Sequence, residues 1–352
     1  MSDARARVQA LVGAARRIAE PEGELGQRAR RSLVASSGLS PENVEWALTQ
    51  CLETEPSEAE LEALCASVAP AQRAHVVLPA NVFVAAHRAI ALALAVSPVV
   101  TVRPSRREPH LASLLAEAAP GLFEIVSQVT AEPGDVVWAY GGNQSLEAVR
   151  AALPRGVTLH AQGPGFGVAV VDARHASREA ALALAADVAP FDQRGCLSPR
   201  YVLVVGDGAA ARAFAELIAE ALGALSARIP LGRLDDAERA DIALFRAAAI
   251  YAGTLLGAGP GSIFIADRGA LSRLPPIGRH LQVTSVGSLD AAWAALNPMQ
   301  ITAVGVAGEP ELHATVASAL PGARVSPLGR MQRPLFDGPA DRRRTPPPPK
   351  RS

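Results

Sequence analysis

From His75 onward the chain alternates between short strand-like apolar runs and Ala/Leu-rich helical ones, and this alternation constrains the fold more than any other feature. "HVVLP" gives way to "VFVAAHRAIALALAV", "PVVTVRPS" to "REPHLASLLAEAA", and "DVVWAYGG" to "NQSLEAVRAAL". Strands separated by helices pair in parallel through crossovers, because no tight hairpin can return the chain to the same end of a sheet. The expected class is therefore α/β. A second series opens at "VTLHAQGPGFGVAVVD" and runs through the helix "SREAALALAADVAPFD", the strand "RYVLVVG" and the long helix "AARAFAELIAEALGAL". The strands "SIFIADR" and "HLQVTSV", the helix "SLDAAWAAL" and the strand "ITAVGVAG" complete it.

The first 70 residues read as helical. Ser40 stands as an N-cap before Pro41 in "SPENVEW", and Ser57 with Glu60 forms a capping box in "SEAELEALCASV". Cys51 and Cys65 fall on these helices among Trp46, Leu48, Leu61 and Leu64, where free cysteines serve as core packing. At 352 residues the chain has room for two domains. Lys plus Arg equals Asp plus Glu at 34 each, so no net field recommends nucleic acid or an anionic membrane, and small molecules become the expected ligands. Three cysteines without a C-x-x-C pair fit a reducing cytoplasm and give neither a zinc site nor a disulfide framework. The seven histidines show no metal spacing, so no metal is expected. "MSDARARVQAL" lacks the apolar block of a signal peptide, and the longest apolar run, Ala89 to Val102, is broken by Pro98 and falls short of a membrane span. The ending "DRRRTPPPPKRS" carries too little apolar surface to fold and is expected to be a disordered tail.

Several short stretches could carry chemistry. Gly141 and Gly142 lie between a strand and a helix, a turn that lets a helix N-terminus approach a phosphate and that also occurs as a plain tight turn. Arg103, Ser105, Arg106 and Arg107 follow another strand, at the end where α/β sheets hold ligands. Guanidinium groups and a hydroxyl there suit a phosphate, including the 2'-phosphate of NADP; a solvated charged turn is the plain alternative. Asn81 in "LPANVF" could cap a helix, or offer its carboxamide to a developing oxyanion. Cys196, in "APFDQRGCLSPRYVLV", stands in a polar connection with Asp192, Gln193, Arg194 and Gly195 before it and Arg200 after it. Cations and backbone donors favour a thiolate, so local chemistry leaves this cysteine evenly placed between filler and nucleophile.

Taken in order, these segments resemble the aldehyde dehydrogenase superfamily, most closely its LuxC-type acyl-CoA reductase branch. "LPANVF" resembles the segment with the oxyanion asparagine, "VVTVRPSRREP" the strand ending in a cofactor loop, and "YGGNQSLEAVR" the branch's Tyr-Gly-Ser-Asp turn. "FDQRGCLSPRYVLV" is similar to the nucleophile segment, "LPPIGRHLQVTSVGSLDAAWAAL" to the return segment, and "GARVSPLGRMQRPLFDG" to the C-terminal ending. The resemblance implies two intertwined Rossmann-like three-layer domains with an N-terminal helical segment. It implies reduction of an acyl-CoA to an aldehyde by a nicotinamide cofactor, with Cys196 as nucleophile and Asn81 at the oxyanion; NADPH is the expected cofactor, because Ser105 and Arg106 replace the acidic residue that would bind a free ribose 2'-hydroxyl and repel a phosphate. Arg103, Ser105, Arg106, Gly141 and Gly142 would then bind the cofactor. It also implies an acyl-CoA or acyl-thioester substrate, and it is compatible with a homo-oligomer or an acyl-transferring partner protein.

Two departures matter. The region matching the general-base segment of oxidising relatives, "LHAQGPGFGVAVV", has Gln162 and glycines but no carboxylate, which favours reduction over hydrolysis. The return segment has Pro275 near the place of the usual ribose-binding glutamate. An oxidative aldehyde dehydrogenase, with His160 or a distant carboxylate as base, and a catalytically silent nucleotide-binding relative remain as alternatives. The expected division is an N-terminal helical segment over 1–70, a cofactor domain over 71–162 plus 308–338, a catalytic domain over 163–307 and a tail over 339–352.

Overall fold

The computed structural model describes residues 3–266, 274–296 and 301–343. The chain opens with α1 (Asp3–Ala19) and α2 (Glu24–Ser37), followed by α3 (Pro41–Trp46), a π-helical turn over Ala47–Cys51, and α4 (Glu58–Ala66). Next come β1 (Arg73–Val77), α5 (Ala85–Val96), β2 (Val99–Arg103), α6 (His110–Ala118), β3 (Glu124–Ile125), β4 (Val136–Tyr140), α7 (Asn143–Ala152) and β5 (Thr158–Gln162). The chain continues through β6 (Phe166–Asp172), α8 (Arg178–Val188), β7 (Pro199–Val205), α9 (Gly208–Arg228), α10 (Asp236–Ala252), β8 (Gly253–Ala258) and β9 (Gly261–Ala266). It ends with β10 (His280–Val286), α11 (Leu289–Leu296), β11 (Ile301–Ala307), α12 (Pro310–Ala319) and β12 (Arg324–Pro327).

These elements form two compact units, one of residues 1–37, 48–164 and 335–352, the other of residues 38–47 and 165–334. The first holds a five-stranded parallel sheet in the order β3-β2-β1-β4-β5. Helix α5 packs against β1 and β2 on one side and against α1, α4 and α6 on others. It is buried from Ala86 to Val96, which explains why its sequence is apolar all round. The opposite face carries a smaller cluster of Val77, Ala139 and Leu146 beneath α7.

The second unit holds a seven-stranded sheet, β12-β11-β6-β7-β10-β9-β8, parallel except for the antiparallel β8–β9 hairpin at one edge. One face buries Val202, Val204 and Val283 against Leu184, Phe214 and Ile218 of α8 and α9. The other buries Val168, Tyr201 and Leu203 against Leu296 and Val316 of α11 and α12. Helices on both faces make the three layers that the apolar strands require.

Local signals are realised as read. Ser40 Oγ accepts from the Asn43 N–H, and Ser57 with Glu60 makes the reciprocal capping box, a device worth roughly 1 kcal/mol. Cys51 is buried and Cys65 half-buried. Three boundaries differ from expectation. The N-terminal 70 residues are not one segment, because residues 38–47 with α3 join the second unit. Residues 308–334, expected with the cofactor domain, also join the second unit, since β12 pairs in parallel with β11 from Ala303↔Arg324 to Val306↔Pro327. The expected tail is ordered as far as it is described: Asp341 is buried, and Arg343 donates to the carbonyls of Gly163 (3.1 Å) and Pro164 (3.0 Å). The rest of that tail, 344–352, lies outside the described residues. Among the described residues no helix is long and apolar enough to cross a membrane, and no group of three His, Cys, Asp or Glu side chains could hold a metal.

Candidate active site

Cys196 lies between a short helical turn over Pro190–Gln193, which follows α8, and the start of β7. Three consecutive non-glycine residues of that turn are left-handed: Phe191 (φ 55°), Asp192 (φ 51°) and Gln193 (φ 66°). Each such residue costs roughly 1–2 kcal/mol, so a run of three persists only where its surroundings hold it. All three side chains are fully buried, and each is tied down.

Asp192 is the hub. Its Oδ1 accepts from Asn43 Nδ2 (3.0 Å) and Arg279 Nη2 (2.9 Å), and its Oδ2 from the Gly232 N–H (2.9 Å) and Arg194 Nη1 (3.3 Å). Its backbone carbonyl accepts from the Gly278 N–H at 3.1 Å. Asn43 Oδ1 accepts from the Phe191 N–H (3.0 Å), while its Nδ2 also reaches the Ala189 carbonyl (3.3 Å). Gln193 Nε2 donates to the carbonyls of Pro199 (2.6 Å) and His280 (2.8 Å), and its Oε1 accepts from the His280 N–H (2.9 Å). Arg279, itself left-handed at φ 70°, donates from Nη1 to Ser226 Oγ (2.9 Å) and the Ile229 carbonyl (2.6 Å). Burial lowers the Arg279 pKa, and the neighbouring Asp192 carboxylate opposes that shift. Gly232 must be glycine here: a Cβ would stand 2.3 Å from the Gly38 carbonyl oxygen and 2.9 Å from Asp192 Oδ2.

On the far side of Cys196 the Ser198 N–H donates to the Gly195 carbonyl (3.1 Å), which makes Cys196 and Leu197 the two corner residues of a tight turn. The Ser198 carbonyl accepts from the Gly167 N–H (2.8 Å), and Ser198 Oγ accepts from Gln332 Nε2 (3.2 Å). Gln332 belongs to a segment clamped by Asp187, whose carboxylate accepts from the N–H groups of Gly329 (2.6 Å) and Met331 (2.9 Å). Burial raises the Asp187 pKa to about 7 even against those donors. Cys196 is half-buried, as are Arg194 and Leu197 beside it, while Phe191 to Gln193 and Ser198 to Arg200 are buried.

The sequence reading of this connection as polar, with cations free to favour a thiolate, is corrected in one respect. Arg194 makes two hydrogen bonds to Glu238 (3.1 and 3.0 Å) and one to the Arg233 carbonyl, and Arg200 donates to the carbonyls of Pro275 (2.6 Å) and Gln193 (3.0 Å). Arg194 is held by ion pairs and a backbone carbonyl, and Arg200 by backbone carbonyls. His280 is neutral, because burial, with Arg246 and Arg200 adding to it, pushes its pKa down to about 3.

The remaining predicted residues lie at the carboxyl edge of the first unit's sheet. In the order β3-β2-β1-β4-β5 the connections leave β1 in opposite directions, so the crevice that α/β sheets use for ligands falls between β1 and β4. The loop after β1 carries Asn81, and the turn after β4 carries Gly141 and Gly142. Asn81 is exposed and does not cap α5, whose N-cap is Val84 without a side-chain hydrogen bond. Gly142 is the N-cap of α7, again without a side-chain cap, and a Cβ there would meet nothing within 4 Å. Arg103, the last residue of β2, and Ser105 beyond it are half-buried, and Arg106 is exposed. Ser105 Oγ accepts from the Arg107 N–H (3.2 Å), and Glu108 is turned into the chain to accept from the N–H groups of His110 (2.8 Å) and Leu111 (3.3 Å). A phosphate-bearing cofactor fits this edge: uncapped helix donors, open space and cations are present, and the one carboxylate of the β2 loop faces away. His160, on β5, stacks on Trp138 at 4.0 Å, and burial lowers its pKa.

The sequence pattern of the LuxC acyl-CoA reductase family matches residues 123–340. The chain belongs to the LuxC family of acyl-CoA reductases. It is accordingly an oxidoreductase of aldehydes and acyl thioesters. Solved structures share the fold of this LuxC-family chain. A NAD-dependent benzaldehyde dehydrogenase from Corynebacterium glutamicum superposes with a TM-score of 0.67 at 17% identity, over 92% of this chain and 81% of its own. An oxidoreductase from Marinobacter aquaeolei gives 0.69 at 13% identity, over 92% and 77%. Aldehyde dehydrogenase 21 from Physcomitrella patens, in complex with succinate, gives 0.67 at 14% identity, over 93% and 77%. No curated protein matches the sequence. The aldehyde dehydrogenase-like α/β architecture expected from the sequence is thus the one observed.

Sequence reasoning missed Asn43, Arg279, Asp187 and Gln332. Asn43 gave no signal beyond standing in a capped helix, because its partners lie up to 149 residues away. For Arg279 a signal existed: a Gly-Arg pair heading an apolar strand is an unusual place for a charge, and such a charge is buried only when paired.

Proposed function

We propose that this LuxC-family chain reduces an acyl-CoA thioester to an aldehyde through an acyl-enzyme on Cys196, with NADPH as reductant. The observation that carries the proposal is the left-handed run Phe191–Gln193, a strained and fully buried structure that holds the approach to a half-buried thiol. Strain held in place by so many partners is the mark of a segment whose geometry is under constraint.

In this reading the Cys196 thiolate attacks the thioester carbonyl, the C–S bond to CoA breaks, and CoA leaves as its thiol with one proton taken up. The Asn81 carboxamide and the Cys196 backbone N–H are assigned to the oxyanion of the tetrahedral intermediate, a kind of donor whose loss costs about 10²–10³ in rate. The connection Gln162–Phe166 offers no carboxylate to activate water, so the acyl group stays on sulfur. Arg103, Ser105, Arg106 and the backbone at Gly141 and Gly142 would hold the cofactor. The choice of NADPH rests on Ser105 and Arg106 and on the inward turn of Glu108, which leaves no carboxylate of that loop to repel a 2'-phosphate. A reduced nicotinamide supplies the hydride that, with one proton, converts the thioester carbon to an aldehyde and returns Cys196 to its thiol.

The test is NADPH oxidation and aldehyde formation by the full chain with medium- and long-chain acyl-CoA. The expected result is turnover that falls by at least about 10³-fold in Cys196→Ala. Undiminished turnover in that variant, or a free acid formed from aldehyde without CoA, overturns the reading.

A further inference from the structure

We propose that Asn43, carried by α3 far upstream of the nucleophile segment, is a positioning residue for Cys196. The inference rests on the reading of Cys196 as nucleophile and goes beyond it, because it places residues 38–47 inside the catalytic machinery. Those residues lie outside the stretch that matches the LuxC family, 123–340, yet they pack within the same compact unit as Cys196.

The argument starts from supply and demand for hydrogen bonds. The Phe191 N–H lies at the buried end of α8, and a buried N–H that loses an acceptor is costly. Asn43 Oδ1 is its acceptor, at 3.0 Å. The same carboxamide then donates from Nδ2 to Asp192 Oδ1 (3.0 Å) and to the Ala189 carbonyl (3.3 Å). One planar group therefore serves Ala189, two residues before the left-handed run, and the run's first and second residues. Among natural side chains only an amide supplies an acceptor and two donors in one plane. Asn43 is fully buried, so these bonds are not shared with solvent.

α3 is itself fixed where it must be. Ser40 caps it, and the Gly38 carbonyl before it accepts from the Arg233 N–H (2.8 Å), beside the Gly232 N–H that reaches Asp192. The upstream segment and Arg279 thus grip Asp192 from two directions, and Cys196 follows four residues later on a chain with little freedom left.

The experiment compares Asn43→Ala and Asn43→Asp with the parent as full chains. It follows single-turnover CoA release from an acyl-CoA and the rate of Cys196 alkylation by iodoacetamide across pH 5.5–9, with circular dichroism and alkylation of Cys65 as fold controls. The charged groups around position 43 are Asp192, which faces it directly, Arg279 and Arg194 on Asp192, and Glu238 on Arg194. Asn43→Ala is expected to slow CoA release at least 30-fold while KM stays within threefold. Asn43→Asp keeps the acceptor for Phe191 but sets a second carboxylate against Asp192, so it works only with a proton shared between them. Its CoA release, taken as a ratio to the parent's at each pH, is expected to recover at least tenfold from pH 8 to pH 6. A folded Asn43→Ala that releases CoA at the parent rate overturns the inference. If Asn43→Ala does not fold, Asn43→Asp decides alone, and a profile parallel to the parent's overturns the inference. The underlying reading fails separately, through parent-like CoA release from Cys196→Ala.

Discussion

The cysteine segment and the loops proposed to hold the cofactor are built on opposite plans. Around Cys196, Asn43, Asp192, Gln193 and Arg279 are fully buried and hydrogen-bonded to one another or to backbone. At the carboxyl edge of the first unit, Asn81, Arg106 and Gly142 are exposed, α7 begins uncapped, and the space beside Gly142 is open. The contrast teaches where each kind of group belongs. A nucleophile gains when its position is settled before substrate arrives, because misplacement by an ångström costs on the order of 10² in rate. Groups that take up a large soluble ligand gain by remaining solvated and reachable until it binds. The first plan spends buried polar groups and strained backbone; the second spends almost nothing on stability.

Substitutions should separate the two plans sharply. The largest effect is expected at the hub. Asp192→Ala leaves the fully buried Arg279 guanidinium without its carboxylate, which should destabilise the chain by about 3–5 kcal/mol, read from denaturant unfolding. A loss below about 1 kcal/mol would mean that the hub is not under the load described.

A pair of glycines gives the next test. Gly232→Ala puts a methyl group 2.3 Å from the Gly38 carbonyl oxygen and should cost roughly 1–3 kcal/mol. Gly142→Ala meets nothing within 4 Å and should leave unfolding within about 0.5 kcal/mol, while weakening NADPH binding measured by calorimetry. Equal losses of stability at the two positions would erase the comparison.

The smallest expected effect is at Arg106. Arg106→Ala should raise KM for NADPH about tenfold, near 1.4 kcal/mol, with kcat and stability little changed. An unchanged KM would remove Arg106 from the cofactor edge.

How much of this was legible in the sequence follows the range of the interactions. Strand and helix alternation could be read because buried parallel strands are apolar runs, and the caps at Ser40 and Ser57 because they are satisfied within three residues. Asn81, Arg103 to Arg106 and Gly141 could be placed at strand ends for the same local reason. The left-handed run at Phe191–Gln193 could not, since Phe and Gln rarely adopt that conformation and only distant partners hold three such residues in a row. The association of residues 38–47 with the second unit, and the pairing of β12 with β11, are likewise tertiary facts without a local mark. The antiparallel β8 escaped notice because "GTLLGA" is short, Gly-bounded and only half-buried.

The central claim is that Cys196 carries the acyl group. Incubating the full chain with an acyl-CoA in the absence of reductant, then locating the adduct by mass spectrometry of peptides, tests it most directly. The expected result is one acyl mass on the peptide containing Cys196, released when NADPH is added. An adduct on Cys51 or Cys65, or none on Cys196 while NADPH-dependent turnover proceeds, would contradict it.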